Sequence, residues 1–241
     1  MTSQNKRRAL ITGASSGIGR ATALAFAQAG IDVALVSRSQ DKLEAIAKAT
    51  CEAGVETKVY VLDLAKIEQV KAEISAITAD FAPIDILVNN AGMGYTNPLS
   101  ETPLSDWQRV IDLNLTSVFQ CILGVLPTLR QQQRGTIINV ASIAGQQFFP
   151  DWGAYSVSKA GLIALSKTLA AEERPHGIRV VTICPGAVNT SLWDTDTVQI
   201  DLNRSAMLTP DIVAQSILHT AMLPEQAVID SVTLMPSAGV L

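Results

Sequence analysis

The chain has 241 residues, of which 48% are hydrophobic, and this size and composition fit one globular domain with a large buried core. Its formal net charge of −4 argues against a general nucleic-acid or anionic-membrane surface.

Seven short apolar or β-branched runs predict β-strands, at residues 8–12, 32–37, 57–63, 85–90, 135–142, 178–185 and 230–235. Amphipathic or alanine-rich segments predict helices between them, at residues 17–29, 40–53, 66–80, 105–131, 155–174 and 210–222. Strands that are apolar on both faces and alternate with helices predict an α/β fold, a doubly wound parallel sheet in one domain spanning 1–241. Ligands bind such sheets at the carboxyl ends of the strands.

The first predicted strand is followed by a glycine turn, TGASSGIG at residues 12–19. Gly13, Gly17 and Gly19 allow the backbone to turn sharply and to pass close to a phosphate. The helix that follows presents free N–H groups and the positive end of its dipole to a pyrophosphate. This turn resembles the cofactor turn of the short-chain dehydrogenase/reductase family, which has a Rossmann-type fold.

The second strand ends in Ser37 and Arg38, where NAD-binding units normally carry an acid. Alone, an arginine in this place is typical of a solvated surface. Beside an adenosine ribose, its planar charged fork suits a 2′-phosphate, with Ser37 as a second donor, and the sequence therefore predicts NADP(H). Asp63 ends the third strand and resembles the family's acceptor for the adenine amino group, although a helix N-cap is a competing role.

The motif NNAG, at residues 89–92, ends the fourth strand. It resembles the family motif that steadies the sheet beside the adenine ribose, and a plain Asn-Gly turn is the alternative. Further on, Asn114 lies within an apolar helical segment, where a buried amide needs hydrogen-bond partners. It is either a structural bridge or a functional one. The resemblance implies that Asn114 distorts its helix and holds a water in a proton path.

Tyr155 and Lys159 are four residues apart and therefore share one face of a predicted helix. A surface pair is the alternative, but a phenol needs help to exchange protons at neutral pH. The Lys159 ammonium and an oxidised nicotinamide would favour the phenolate, so we expect a lowered pKa for Tyr155. Ser142, at the end of the fifth strand, can hydrogen-bond the substrate oxygen while Tyr155 delivers the proton.

The resemblance covers about residues 8 to 190, because CPGAVNT at 184–190 is similar to the family's nicotinamide-side loop. It implies an NADP(H)-dependent carbonyl reductase of the ketoacyl-reductase-like branch, with Asn114, Ser142, Tyr155 and Lys159 as catalytic residues. The cofactor-binding residues that it implies are Gly13, Ser15, Ser16, Gly17, Ile18, Gly19, Ser37, Arg38, Asp63, Leu64, Asn90, Ala91, Gly92, Tyr155, Lys159, Pro185, Gly186, Val188 and Thr190.

Residues 187–208 correspond to the segment that closes over the substrate in this family. Leu192 and Trp193 either line an apolar pocket or lie on the rim of a solvated loop, and the acids Asp194, Asp196 and Asp201 do not suit an anionic substrate. A second expected pocket wall favours a moderately apolar ketone or aldehyde, and its residues are Gln146, Phe148, Phe149 and Trp152. The C-terminal VTLMPSAGVL departs from the glycine-rich ending of the family's β-ketoacyl-carrier-protein reductases, which argues against fatty-acid synthesis.

Helices 105–131 and 155–174 commonly pair across subunits in this family, so a homodimer or homotetramer is expected. The apolar stripe in VFQCILGVLPTL would look the same if it were buried within one chain. Cys51, Cys121 and Cys184 are scattered, and with only two histidines they form no metal-ligand pattern, so we expect no metal site.

We interpret the three cysteines as reduced, which indicates a cytoplasmic protein. No run of about 18 apolar residues predicts a spanning helix. The partner expected is a small carbonyl or alcohol substrate, with neither nucleic acid nor membrane. Two other functions stay open: an NAD(P)-dependent alcohol dehydrogenase that works in the oxidative direction, and a non-catalytic NADP(H)-sensing module.

Overall fold

The computed structural model describes residues 6–200 and 203–239, and within them seven strands form one parallel sheet. The strands are β1 (Arg8–Thr12), β2 (Asp32–Ser37), β3 (Thr57–Val61), β4 (Ile86–Asn89), β5 (Gly135–Val140), β6 (Ile178–Pro185) and β7 (Ser231–Leu234). They lie in the order β3-β2-β1-β4-β5-β6-β7. The order in which the chain adds parallel strands reverses between β1 and β4, which defines a doubly wound sheet. The predicted Rossmann-type fold is confirmed.

Helices cover both faces of this sheet. They are α1 (Gly17–Gln28), α2 (Gln40–Glu52), α3 (Ile67–Asp80), α4 (Leu104–Ile111), α5 (Ser117–Gln132), α6 (Gly153–Glu173) and α7 (Pro210–Met222). The single helix predicted over 105–131 is divided by a π-helical turn, Asp112–Thr116, and α6 begins two residues before the predicted start. Four predicted strands extend beyond the observed ones. Asp63, Asn90 and Ser142 lie where the chain has already left the sheet, and β7 is one residue shorter at each end than the predicted 230–235.

Alternate residues of each central strand enter two separate apolar cores. On one face, Leu10 and Leu87 pack with residues of α3, α5 and α6. On the other face, Ile11 and Val88 pack with residues of α1, α2 and α7. All four side chains are fully buried, which explains why these strands read as continuous apolar runs rather than as alternating ones.

The helical stretch Leu104–Gln132 is, by length and composition alone, long and apolar enough to cross a membrane, with a mean hydropathy of 1.6. Half of this apolar stretch is buried within the protein. The apolar stripe of α5 is part of the core beside α3, with Cys121, Ile122 and Val125 all buried. Phe119, at 41% exposure, is left facing outwards. Most of the predicted stripe therefore packs within the chain.

A cleft of about 1180 Å³ runs along the carboxyl ends of the strands. Strands β1 to β6 each contribute residues at or just after their carboxyl ends, at 13, 15–18, 37–39, 62–65, 90–94, 140–144 and 185–188. The topology therefore brings nearly all of the residues selected from the sequence to one edge of the sheet, as expected for this class of fold.

Candidate active site

The glycine turn after β1 forms one wall of the cleft. Gly13 and Gly17 have φ values of +65° and +50°, in the left-handed region that side chains disfavour. A Cβ atom on Gly13 would lie 2.8 Å from the Cα atom of Ala91, and one on Gly19 would overlap the Gly13 carbonyl oxygen. Gly19 does not line the cleft, and its role is to let α1 approach the turn.

The N-terminus of α1 is open to an anion. Ser16 occupies the N-cap without a capping hydrogen bond from its side chain, and the first turn contains no acidic residue. The free N–H groups and the helix dipole therefore offer a positive site beside Ser15, Gly17 and Ile18, all of which line the cleft. A dinucleotide pyrophosphate fits this cradle by both shape and charge.

The loop after β4 is fastened to this turn through Asn90. The Asn90 amide donates to the carbonyl oxygens of Thr12 and Gly13 at 3.1 and 3.2 Å. The Thr12 hydroxyl accepts the N–H groups of Asn90 and Ala91 at 3.0 and 3.2 Å. NNAG is thus more than a simple turn, because its second asparagine fixes the position of the glycine turn, and Ala91 and Gly92 continue along the cleft.

Basic residues lie along the outer edge of the cleft, just after β2 and in the first turn of α2. Arg38 is exposed and lines the cleft, and no ion pair occupies it within residues 6–200 and 203–239. The Ser37 hydroxyl accepts the Ser39 N–H at 3.2 Å, which leaves its own proton free to be donated. Lys42, in the first turn of α2, lines the same part of the cleft. Lys42 was missed from the sequence, and its spacing of four from Arg38 was the available signal.

Asp63 and Leu64, which follow β3, line the same cleft. The Asp63 carboxylate accepts the N–H of Ala65 at 3.1 Å, within a local turn. Helix α3 begins at Ile67, with Lys66 at its N-cap, so the alternative of a helix cap at Asp63 is wrong.

Asn114 is fully buried in the π-helical turn, and the predicted distortion of the helix is confirmed. Its amide oxygen accepts the Met93 N–H at 2.8 Å, and its amide nitrogen donates to the Met93 carbonyl at 2.9 Å. The same nitrogen donates to the Ser158 hydroxyl at 3.1 Å, and Ser158 in turn donates to the Tyr155 carbonyl. The side chain is therefore a structural bridge between the loop after β4 and the start of α6.

Ser142, Tyr155 and Lys159 meet in the middle of the cleft. The Ser142 hydroxyl accepts the Ala144 N–H at 3.1 Å, which holds the residue at the start of a short 3₁₀ turn. The Lys159 ammonium donates to the Val140 carbonyl at 3.0 Å and lies 5.7 Å from the centre of the Tyr155 ring. A serine hydroxyl, a phenol and an ammonium thus share one water-poor site.

Burial governs the titration of this group. It raises the pKa of Tyr155 above its ordinary value, against a smaller lowering by the Ser142 hydroxyl, and it lowers the pKa of Lys159 to about 8. In the protein by itself, loss of hydration is the larger influence and the pKa of Tyr155 is not lowered. The predicted lowering depended on Lys159 together with an oxidised nicotinamide, and it stays a prediction for the cofactor complex.

An aromatic wall lies next to Tyr155. The Trp152 ring meets the Tyr155 ring edge-on at 5.1 Å and the Trp193 ring at 5.9 Å. Phe149 and Leu192 pack against the same cluster and line the cleft. The alternative in which Trp193 stands on the rim of a solvated loop is not supported, because its indole N–H donates to the Val188 carbonyl at 2.7 Å.

Two of the expected wall residues lie elsewhere. Phe148 is 72% exposed, and the Gln146 amide oxygen accepts the Thr233 hydroxyl at 3.4 Å, so neither lines the cleft. The chain turns between Gln146 and Phe149, so that Phe149 alone of these residues reaches the cleft. Residue type does not reveal which side chains such a turn points towards the cleft. Asp194 and Asp196 do line the cleft, whereas Asp201 lies outside the described residues.

The loop after β6 completes the cleft. Pro185, Gly186, Val188 and Thr190 all line it. A Cβ atom on Gly17 would lie 3.1 Å from the Thr190 Cγ2 atom, so Thr190 packs directly against the glycine turn. Among the described residues, no group of three or more His, Cys, Asp or Glu side chains is placed to bind a metal ion.

A parallel sheet with this order, a glycine turn after its first strand and a serine–tyrosine–lysine group in its cleft define a dinucleotide-dependent oxidoreductase. Residues 7–200 match the family described as short chain dehydrogenase, and the chain belongs to that family.

Its relatives include a 3-oxoacyl-[acyl-carrier-protein] reductase of Synechocystis, 36% identical over 100% of this chain and 99% of the relative. Another reductase of that name, from Staphylococcus epidermidis, is 40% identical over 82% of this chain and 85% of the relative. An alcohol dehydrogenase from the archaeon Thermococcus sibiricus, solved with 5-hydroxy-NADP, superposes with a TM-score of 0.88 at 31% identity, covering 97% of both chains.

Proposed function

We propose that this oxidoreductase reduces a ketone or aldehyde to an alcohol with NADPH. The observation that carries the proposal is the placement of Ser142, Tyr155 and Lys159 in the same cleft as the glycine turn. The cofactor supplies the hydride when it is bound. The residues of this chain are left to orient the carbonyl, stabilise its oxygen and deliver a proton.

Each residue has a distinct part in this proposal. The Ser142 hydroxyl donates to the carbonyl oxygen, and the phenol of Tyr155 donates the proton that the new alkoxide needs. Burial raises the Tyr155 pKa, so in the protein by itself the phenol is in the protonated form that can donate. The Lys159 ammonium, anchored on the Val140 carbonyl, compensates the negative charge left on the phenolate. Asn114 positions the start of α6 through Ser158. The water that the family resemblance implies beside Asn114 is part of the proposal.

NADP(H) is proposed over NAD(H) because the 2′-phosphate would face Arg38, Ser37 and Lys42. The Thermococcus sibiricus relative was solved with an NADP derivative, and the actinorhodin polyketide ketoreductase, 28% identical with a TM-score of 0.87, was solved with NADPH. An acid in place of Arg38 would repel that phosphate, whereas a guanidinium binds it with a planar fork.

The substrate proposed is a small, moderately apolar carbonyl compound. Trp152, Trp193 and Phe149 provide an apolar wall beside the Tyr155 ring, and residues 190–197 and Ile200 line the same cleft. Two relatives are named as 3-oxoacyl-carrier-protein reductases, and a ketone with an acyl chain is one member of this substrate class. We propose a single-domain cytoplasmic enzyme that forms a homodimer or homotetramer. The half-exposed Phe119 and Val157 on α5 and α6 support the oligomer.

The proposal is tested by following NADPH oxidation with a panel of neutral, anionic and cationic ketones. We expect turnover with neutral apolar ketones, and a loss of about 10²- to 10⁴-fold in kcat for Tyr155→Phe, the range typical of general acid–base groups. Tyr95→Phe is the matched control, because that buried tyrosine donates to Asp106 at 3.1 Å and does not line the cleft. NADPH binding without turnover on any ketone or alcohol would favour a sensing module instead.

A further inference from the structure

The segment between β6 and α7, residues 187–208, is fastened to the rest of the cleft. Its two ends meet each other, because Asn189 N–H donates to the Leu208 carbonyl at 2.8 Å and Leu208 N–H donates to the Ala187 carbonyl at 2.9 Å. Its middle is tied to the loop after β4 through the Thr197 hydroxyl, which donates to the Gly94 carbonyl at 2.8 Å. The described parts of the segment, 187–200 and 203–208, are therefore held in place beside the cleft.

One side chain in this segment, Arg204, binds three partners in the same segment. Its guanidinium donates to the Thr190 carbonyl at 2.9 Å and to the Asn189 amide oxygen at 3.0 Å. A third contact is an ion pair with the Asp194 carboxylate. The planar fork of an arginine can hold such a divided set of acceptors, which the point charge of a lysine holds less well.

Thr190, whose carbonyl accepts a hydrogen bond from Arg204, is in direct contact with the glycine turn. Thr190 packs its methyl group against Gly17, where an added Cβ atom would come within 3.1 Å of it. A short 3₁₀ turn begins at Ser191, directly after Thr190. Within this turn, the indole N–H of Trp193 donates to the carbonyl of Val188, on the other side of Thr190. A shift of the 189–190 backbone would thus alter the wall of the cleft beside the glycine turn.

We propose that Arg204 is a positioning residue that keeps Thr190 against the cofactor turn and thereby slows the release of the nicotinamide cofactor. The proposal rests on the proposed function in one respect, that a dinucleotide occupies the cleft. Arg204 touches no reacting atom. It acts on the cofactor through the backbone of residues 189–190.

The two contacts to uncharged acceptors are expected to matter more than the ion pair. Asp194 is 66% exposed, and ion pairs between exposed side chains contribute little to stability. The side chain of Arg204 is 33% exposed. Its hydrogen bonds join it to Asn189, 15 residues away in the chain, and to Thr190, 14 residues away. Loss of Asp194 should therefore have a smaller effect than loss of Arg204.

The test compares Arg204→Ala, Arg204→Lys and Asp194→Asn with wild type. Stopped-flow fluorescence measures the dissociation rate of NADPH, and hydrogen exchange measures the protection of residues 187–200 without cofactor. For Arg204→Ala we expect roughly tenfold faster dissociation, equivalent to about 1.4 kcal/mol, and faster exchange. Arg204→Lys should recover part of both effects, and Asp194→Asn should stay within about threefold of wild type, a change of less than about 0.7 kcal/mol.

Arg179→Ala is the matched control. This arginine also donates to several loop carbonyls, those of Leu223, Pro224 and Ala227, but it lies near the start of β6, away from the cleft. Its loss should leave cofactor dissociation and the exchange of residues 187–200 unchanged. An Arg204→Ala protein that matches wild type in both measurements, or an Arg179→Ala protein that shows the same changes, would overturn the inference.

The result is separable from the choice of cofactor. If wild type binds NADH rather than NADPH, the cofactor assignment fails, and the same dissociation measurement is made with NADH. If wild type binds both but reduces no ketone, the reductase proposal fails while the binding test of Arg204 stands. If wild type binds neither, both proposals fail.

Discussion

Replacing Arg38 with aspartate should reverse the cofactor preference. The residue lies exposed just after β2, on the cleft, and Lys42 in the first turn of α2 lines the same cleft. A phosphate monoester carries about −1.5 to −2 charges at pH 7. We therefore expect Arg38→Asp to lose an attraction to the 2′-phosphate of NADPH and to gain a repulsion in its place.

The size of the effect follows from the exposure of Arg38. Two unit charges 4 Å apart interact by about 1 kcal/mol in water and by about 4 kcal/mol in a partly buried site. Because Arg38 is exposed, the lower value applies to each unit of phosphate charge. Attraction lost and repulsion gained then sum to about 3 kcal/mol, which is roughly a hundredfold change in the ratio of kcat/KM for NADPH over NADH.

The assay measures kcat/KM for both cofactors with one ketone at low ionic strength. Repeating it at about 0.5 M salt should shrink the effect, since salt screens exposed charges. Lys48→Asp is the control, because it changes the net charge equally from an exposed position on α2 that does not line the cleft. A ratio for Arg38→Asp within threefold of the wild-type ratio would refute the assignment of a 2′-phosphate site to Arg38.

Three further variants test other parts of the structure. Gly19→Ala should lower the free energy of unfolding by about 1–3 kcal/mol and weaken cofactor binding, because its Cβ would overlap the Gly13 carbonyl. Arg130→Met should destabilise more at pH 7 than at pH 4 in urea melts. Arg130 holds the pKa of Glu173 low, and without it the buried carboxylate is unpaired at pH 7 but can take up a proton at pH 4. Wild type should gain on the order of 2 kcal/mol of stability relative to Lys159→Met between pH 8 and 10, where the unfolded lysine binds more protons than the folded one.

Each of these variants has a comparison that isolates its cause. Gly161→Ala meets only the flexible end of Leu115, at 2.9 Å, and should be milder than Gly19→Ala. Glu173→Gln, which leaves no buried charge, should show little of the pH dependence of Arg130→Met. Lys167→Met replaces an exposed lysine of the same helix and should track wild type at every pH. Equal behaviour of variant and comparison would contradict the reasoning in each case.

The sheet and its helices were predictable because strands buried on both faces leave an unmistakable apolar pattern. The doubly wound arrangement also followed, since right-handed crossovers leave few alternatives. The break at Asn114 was expected only from the family resemblance. Its physical cause, the Met93 backbone that fills both ends of the amide, is a contact between residues 21 apart in the chain.

Other features depend on burial or on the path of a loop, and residue type does not specify either. The raised pKa of Tyr155 results from burial, which a sequence does not reveal. Phe148 and Phe149 are identical residues, yet only Phe149 reaches the cleft. Arg204 acts on Thr190 across 14 residues, within a segment whose sequence shows no motif.

The fastening of Asn90 to Thr12 and Gly13 has a consequence for how this enzyme can change. The glycine turn and the loop after β4 share four hydrogen bonds, so a substitution in one displaces the other and the chemistry beside it. Among the described residues, the Arg38 side chain has no hydrogen bond or ion pair of this kind. Substitutions at the end of β2 can therefore change the proposed preference between cofactors without disturbing the glycine turn or the loop after β4.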